Sequence, residues 1–199
     1  MGGTMIAESV EHRWPVPPPA GYTVDDLFTL PDLPPHTELI DGSLVFVSPQ
    51  RIFHTDVMHV LVNGLLSTAP PEVKVKREMT VVIDKRNGPE PDISVVRAEA
   101  VTGRRQTHFK AADVLLAIEV VSPDSEARDR DAKPRKYAAA GITHFWLVDM
   151  AGLDDHPVVQ VHELGEATGT YALTGIYHDR VKLSVPYPID IDLTAIDEL

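Results

Sequence analysis

Two kinds of apolar spacing alternate along this chain, and each predicts a different element. Between residues 54 and 66 the apolar positions Val57, Val60, Leu61 and Leu65 recur at three and four residues, the spacing of one helix face. Pro70 and Pro71 close that helix. A shorter helix is predicted after Thr23, which can cap the run Asp25-Asp26-Leu27-Phe28 before Pro31, Pro34 and Pro35 forbid its continuation. A third covers residues 133–140 and stops at Gly141. Because Pro134 is tolerated only in a first turn, the regular helix is placed to begin near Asp131, with Lys133 in that turn.

The strands read differently. Residues 38–40 and 44–47 are two short apolar runs joined at Asp41-Gly42, a strong hairpin signal. The stretch 73–84 is β-rich, with 79–83 its clearest strand, and Asn87-Gly88 marks a turn. Strands follow at 93–96, 114–121 and 144–149, and shorter ones around 158–164, 171–173 and 181–185. The run 114–121 is apolar enough to be buried on both faces, as a central strand is, and Phe145 and Trp146 read as core. Residues 1–20 hold Gly2, Gly3, Pro15, Pro17, Pro18 and Pro19 without periodicity, so a flexible proline-rich arm is predicted ahead of one domain at 21–199.

Composition narrows the chemistry. A chain of 199 residues suits a single domain, and with no cysteine it has no disulfide scaffold, thiolate metal site or cysteine nucleophile. Carboxylates, His, Lys, Ser and Thr remain. The formal charge of -12 is opposite to that of a nonspecific nucleic-acid coat; it fits either simple solubility or carboxylates gathered for a cation, and charge alone leaves both open. No apolar run approaches the roughly 20 residues of a membrane span, and no basic segment followed by an apolar stretch opens the chain. A cytoplasmic location without membrane contact is the expectation.

Three carboxylates stand in unusual contexts. Glu119 interrupts the most apolar run in the chain, Asp92 follows Pro91 at a strand start, and Glu38 precedes the hairpin. A carboxylate inside a central strand is costly unless paired, protonated or metal-bound, so Glu119 either meets a neighbouring Arg or Lys or serves a cation. Adjacent strands can bring Asp92 and Glu119 to one sheet edge, where their oxygens suit Mg²⁺. Lys133, in the helix after that strand, is the candidate for stabilising charge on a phosphate. Arg128, Arg130, Lys133, Arg135 and Lys136 form the densest basic cluster, which suits a phosphate backbone or, diluted by Asp129 and Asp131, a solvated helix start. His54 and His59 are five apart and form no zinc pair, and no Walker A, Gly-x-Ser-x-Gly or dinucleotide pattern is present.

The ordered motifs Thr37-Glu38-Leu39-Ile40-Asp41-Gly42, His54, Pro91-Asp92, Ile118-Glu119-Val120-Val121-Ser122-Pro123, Asp129-Arg130 with Lys133 and Tyr137, Gly141, and Phe145-Trp146-Leu147-Val148-Asp149 resemble the Uma2 (DUF820) family of the PD-(D/E)xK nuclease-like superfamily. The resemblance covers roughly residues 22 to 149. It implies an α/β restriction-endonuclease-like core, a mixed central β-sheet flanked by helices, here with extra C-terminal antiparallel strands. It further implies Mg²⁺ or Mn²⁺ held by Asp92 and Glu119, with Glu38 as a third acidic residue and His54 at the position of a family histidine. Val121 stands where the triplet lysine of the superfamily belongs, and the resemblance implies that Lys133 takes that role from the next helix. The expected activity is metal-dependent endonucleolytic hydrolysis of phosphodiester bonds in DNA, by a protein that by analogy forms a homodimer. The alternatives are a catalytically silent nucleic-acid-binding or assembly protein on the same fold, and a nuclease for RNA or structured DNA.

Overall fold

The computed structural model describes residues 16–151 and 155–199. The predicted N-terminal arm lies outside the described residues as far as position 15. In chain order the elements are α1 (Val24–Thr29), β1 (Glu38–Ile40), β2 (Ser43–Val45), α2 (Ile52–Thr68), β3 (Val73–Arg77), β4 (Thr80–Val82), β5 (Ile93–Arg97), β6 (His108–Lys110), β7 (Val114–Val120), α3 (Lys133–Ala139), β8 (His144–Ala151), β9 (His156–Leu164), β10 (Tyr171–Tyr177), β11 (Arg180–Leu183) and β12 (Ile189–Asp192).

Local chemistry explains the early elements. Thr23 and Asp26 form a reciprocal capping box at the start of α1, and each satisfies an otherwise orphaned backbone amide. Between β1 and β2, Asp41 and Gly42 take φ of 51° and 79°. Positive φ at both central residues gives the turn whose twist matches the flanking strands.

Six strands form the central sheet in the order β10-β9-β8-β7-β5-β3. All its pairs are antiparallel except β7 with β8, which are parallel and therefore need the crossover that α3 provides. The sheet is mixed, and helices cover both faces. On one face Val57, Leu61 and Leu65 of α2 pack with Leu116, Ile118, Trp146 and Val148, and the β11–β12 hairpin adds Val181, Ile189 and Ile191. On the other face Tyr137 of α3 and Ile142 pack with Ala117, Phe145 and Leu147. Each fully buried aliphatic side chain here contributes on the order of 1.5–3 kcal/mol.

Three expectations are corrected. The strand placed at 79–83 is the shorter β4, and it stands outside the central sheet, paired in parallel with β6, which periodicity did not predict. β12 was likewise unpredicted; it pairs with β11. Both pairings join segments of three or four residues, too short to show a period. The third correction concerns α3. Helical backbone begins at Glu126, and Arg128–Ala132 form a wide π turn in which the Lys133 N–H donates to the Arg128 carbonyl five residues back. Pro134 lies in the first turn of α3 as expected, and the wider turn before it relieves the clash between the proline ring and the carbonyl four residues behind it.

Candidate active site

Side chains alternate along β7. Leu116, Ile118 and Val120 face α2, so Glu119 faces α3. In the antiparallel β5–β7 pair Ile93 lies opposite Ile118, which brings Asp92, just before β5, to the end of the sheet beside Glu119. The Val120 N–H donates to Asp92 Oδ2 at 2.6 Å and fixes that carboxylate.

Lys133 stands at the centre of the cluster. Its ammonium lies 2.8 Å from Glu38 Oε1, 2.9 Å from Glu119 Oε2 and 3.2 Å from Asp129 Oδ1. All four groups are nearly water-free, with 4% exposure for Lys133, 2% for Glu38 and 1% each for Glu119 and Asp129. Tyr137 donates its hydroxyl to Glu119 Oε1 at 2.6 Å, and the Glu90 N–H donates to Glu38 Oε1 at 2.8 Å. Asp129, Lys133 and Tyr137 are spaced at four residues, so one face of the helical run carries all three.

Burial governs the ionisation. It pushes the Glu119 carboxyl well above the ordinary carboxylate range, against the pull of Lys133, and it raises Asp129 in the same way. Burial alone would lower Lys133, but Glu119, Glu38, Asp129 and Asp92 together hold its ammonium well above the usual lysine value. Burial and the adjacent Glu119 push the Tyr137 hydroxyl well up, so it remains a donor. Lys133 is therefore the cation, and the carboxylates around it outnumber it.

The buried cluster forms the floor of an open cleft of about 450 Å³, with Asp92, Lys133, Glu90, Arg128 and Ser48 among its lining residues. His54, in the first turn of α2, is buried. Its Nε2 lies 3.2 Å from Asp92 Oδ1, and both ring nitrogens lack a hydrogen-bond partner. At the rim His36 Nδ1 meets Glu90 Oε1 at 2.6 Å, a contact that raises the His36 pKa.

All five residues singled out from sequence, Glu38, His54, Asp92, Glu119 and Lys133, line this one cleft. Lys136 does not; it points to Asp41 Oδ1 at 2.5 Å. Asp129 and Tyr137 entered the sequence reading only as members of the family motif and were given no role at the site; Asp129 sits between two arginines and reads as surface. The signal for both was their spacing of four from Lys133.

The donor set suits a hard divalent cation in its chemistry. The donors are carboxylate oxygens that carry excess negative charge, and Asp129 Oδ1, 3.2 Å from the Lys133 ammonium, makes an ion pair but no well-aligned hydrogen bond. In this arrangement the ammonium occupies the space among them. Among the described residues no three acidic or histidine side chains converge with ligand geometry.

Comparison with known proteins places the chain. The model of the Uma2 family, described as "Putative restriction endonuclease", matches residues 24–195. Among solved structures, "a putative nuclease belonging to DUF820" from Anabaena variabilis ATCC 29413 superposes over 89% of this chain and 92% of that one, with a TM-score of 0.62 and 19% identity. At that identity the likeness establishes the fold. No curated protein matches the chain.

Proposed function

The chain belongs to the Uma2 family, and on that premise we propose that it is a divalent-metal-dependent endonuclease hydrolysing phosphodiester bonds in DNA. The observation that carries this reading is the buried cluster of Lys133, Glu38, Glu119 and Asp129, set beside Asp92 at the floor of an open cleft. Structural ion pairs are seldom gathered in excess around one lysine, because each unmatched buried carboxylate is costly.

Asp92 and Glu119 would hold Mg²⁺ or Mn²⁺, with Glu38 and Asp129 completing the acidic wall. When bound there, such a cation would supply Lewis acidity toward a phosphoryl oxygen and toward the attacking water. The chain's residues do the rest. Lys133 presents a permanent positive charge where negative charge builds on the phosphate. Tyr137 holds Glu119 in one rotamer through its hydroxyl, and the Val120 amide does the same for Asp92. His54 is placed to hold a proton at Nε2 beside Asp92 Oδ1.

Purified protein incubated with supercoiled plasmid and with single-stranded oligonucleotides, in Mg²⁺, Mn²⁺ or chelator, tests the activity. Cleavage that chelator abolishes is expected, and absence of cleavage on every substrate contradicts it. A second reading is a non-cutting nucleic-acid-binding or assembly protein. Two observations favour it: the formal charge of -12, and the absence of converged ligands among the described residues. Binding without chelator-sensitive cutting would establish that reading.

A further inference from the structure

The basic cluster of residues 128–136 resolves into four committed cations and one that is not. Arg130 meets Glu126 and Asp149, Arg135 meets Asp131, Lys136 meets Asp41, and Lys133 is enclosed by its three carboxylates. Arg128 makes no ion pair or side-chain hydrogen bond among the described residues, and its Nε is buried without an acceptor. The carboxylates nearest in sequence, Glu126, Asp129 and Asp131, are all paired with other cations.

Arg128 nevertheless lines the cleft, together with Asp92, Lys133, Ser122, Ser125 and Gln50. A half-buried guanidinium without acceptors carries a desolvation cost that an incoming acceptor would remove. Among the other charged lining residues carboxylates predominate, with Glu78, Glu90 and Asp124 joining the buried cluster. A polyanion entering such a cleft needs a cation that the protein has left uncommitted, and the planar fork of arginine matches phosphate oxygens.

We infer that Arg128 is the residue that anchors a nucleic-acid backbone phosphate in this cleft, beside the acidic cluster. This rests on the nuclease reading and assigns the substrate-holding cation, distinct from Lys133 with its charge already compensated. It also accounts for how a strongly acidic protein engages a polyanion through one local contact, not through a basic face.

Binding of a short labelled DNA duplex and of a matching single strand, followed by anisotropy across a salt series with Ca²⁺ in place of Mg²⁺, tests it. Arg128→Gln should weaken binding about tenfold and lower the slope of log affinity against log salt by about one unit. Arg128→Lys should keep the slope while losing part of the affinity, since the charge remains and the fork is gone. Arg130→Gln should leave the slope unchanged. The melting temperature of Arg128→Gln should match wild type, because the Arg128 side chain has no partner among the described residues. Unfolding of that variant, or an unchanged slope in a protein that binds DNA well, would overturn the anchor and leave the nuclease reading standing. Wild-type protein that binds neither strand form would remove both.

Discussion

The two faces of β7 are built on opposite principles. Toward α2 the strand presents Leu116, Ile118 and Val120 to an apolar core that also holds Trp146 and Val148. Toward α3 it presents Ala117 and then Glu119, which sits among Lys133, Tyr137, Glu38 and Asp129. The apolar face is stabilised by area removed from water and has no preferred chemistry. The charged face is tolerated only while every partner is present, since an ion pair at this depth gains little over a hydrophobic replacement and loses much when one member goes. On the proposed nuclease reading, the first face serves stability and the second, one residue away from a conventional core, serves chemistry.

Removing the central cation should have the largest effect. Lys133→Met leaves Glu38, Glu119 and Asp129 facing one another, and a loss of about 3–5 kcal/mol in denaturant unfolding is expected, the scale for breaking a buried pair. Cleavage should fall roughly 10²-fold or more when assayed where the variant is folded. Ile118→Ala, one residue away on the apolar face, should cost about 2–5 kcal/mol by cavity formation. Its metal-dependent rise in melting temperature should equal that of wild type, whereas Asp92→Asn should abolish the rise. Equal loss of the metal response in Ile118→Ala would remove the distinction between the faces.

A smaller effect is expected at Tyr137. Tyr137→Phe leaves Glu119 Oε1 without its donor, and a destabilisation of about 1–3 kcal/mol is expected, with cleavage reduced through Glu119 alone. Further along the α3 face, His162 packs against Phe145 and burial lowers its pKa. The folded state therefore binds its proton less readily than the unfolded chain, whose value is about 6.5. Its contribution is present above that pH and is lost as pH falls through the folded value. In His162→Gln the fall in melting temperature between about pH 6.5 and 5 should be shallower than in wild type. Thr23→Ala, remote from both faces, should cost about 1 kcal/mol through the capping box and leave cleavage unchanged.

Which parts of this were legible in sequence follows from how local the forces are. The Asp41-Gly42 hairpin, the Thr23 cap and α2 depend on neighbours a few residues apart, and their residues announce them. Glu119 was legible because a lone carboxylate in an apolar run conflicts with its surroundings. Asp129 was not, because flanking charges make it look solvated and only the turn of the helix buries it. The β4–β6 pairing joins two three-residue segments across the β5 strand, and nothing within either segment specifies the other. The π turn was illegible for a related reason: Pro134 signals a constraint, and both a helix start and a widened turn satisfy it.

The most direct measurement is nicking of supercoiled plasmid in Mn²⁺ by wild type and Glu119→Gln, with both proteins confirmed folded by their melting curves at the assay temperature. Chelator-sensitive nicking by wild type and a rate at least about 10²-fold lower in Glu119→Gln are expected. Nicking at the same rate by both proteins, or by neither, would contradict the assignment of chemistry to the α3 face.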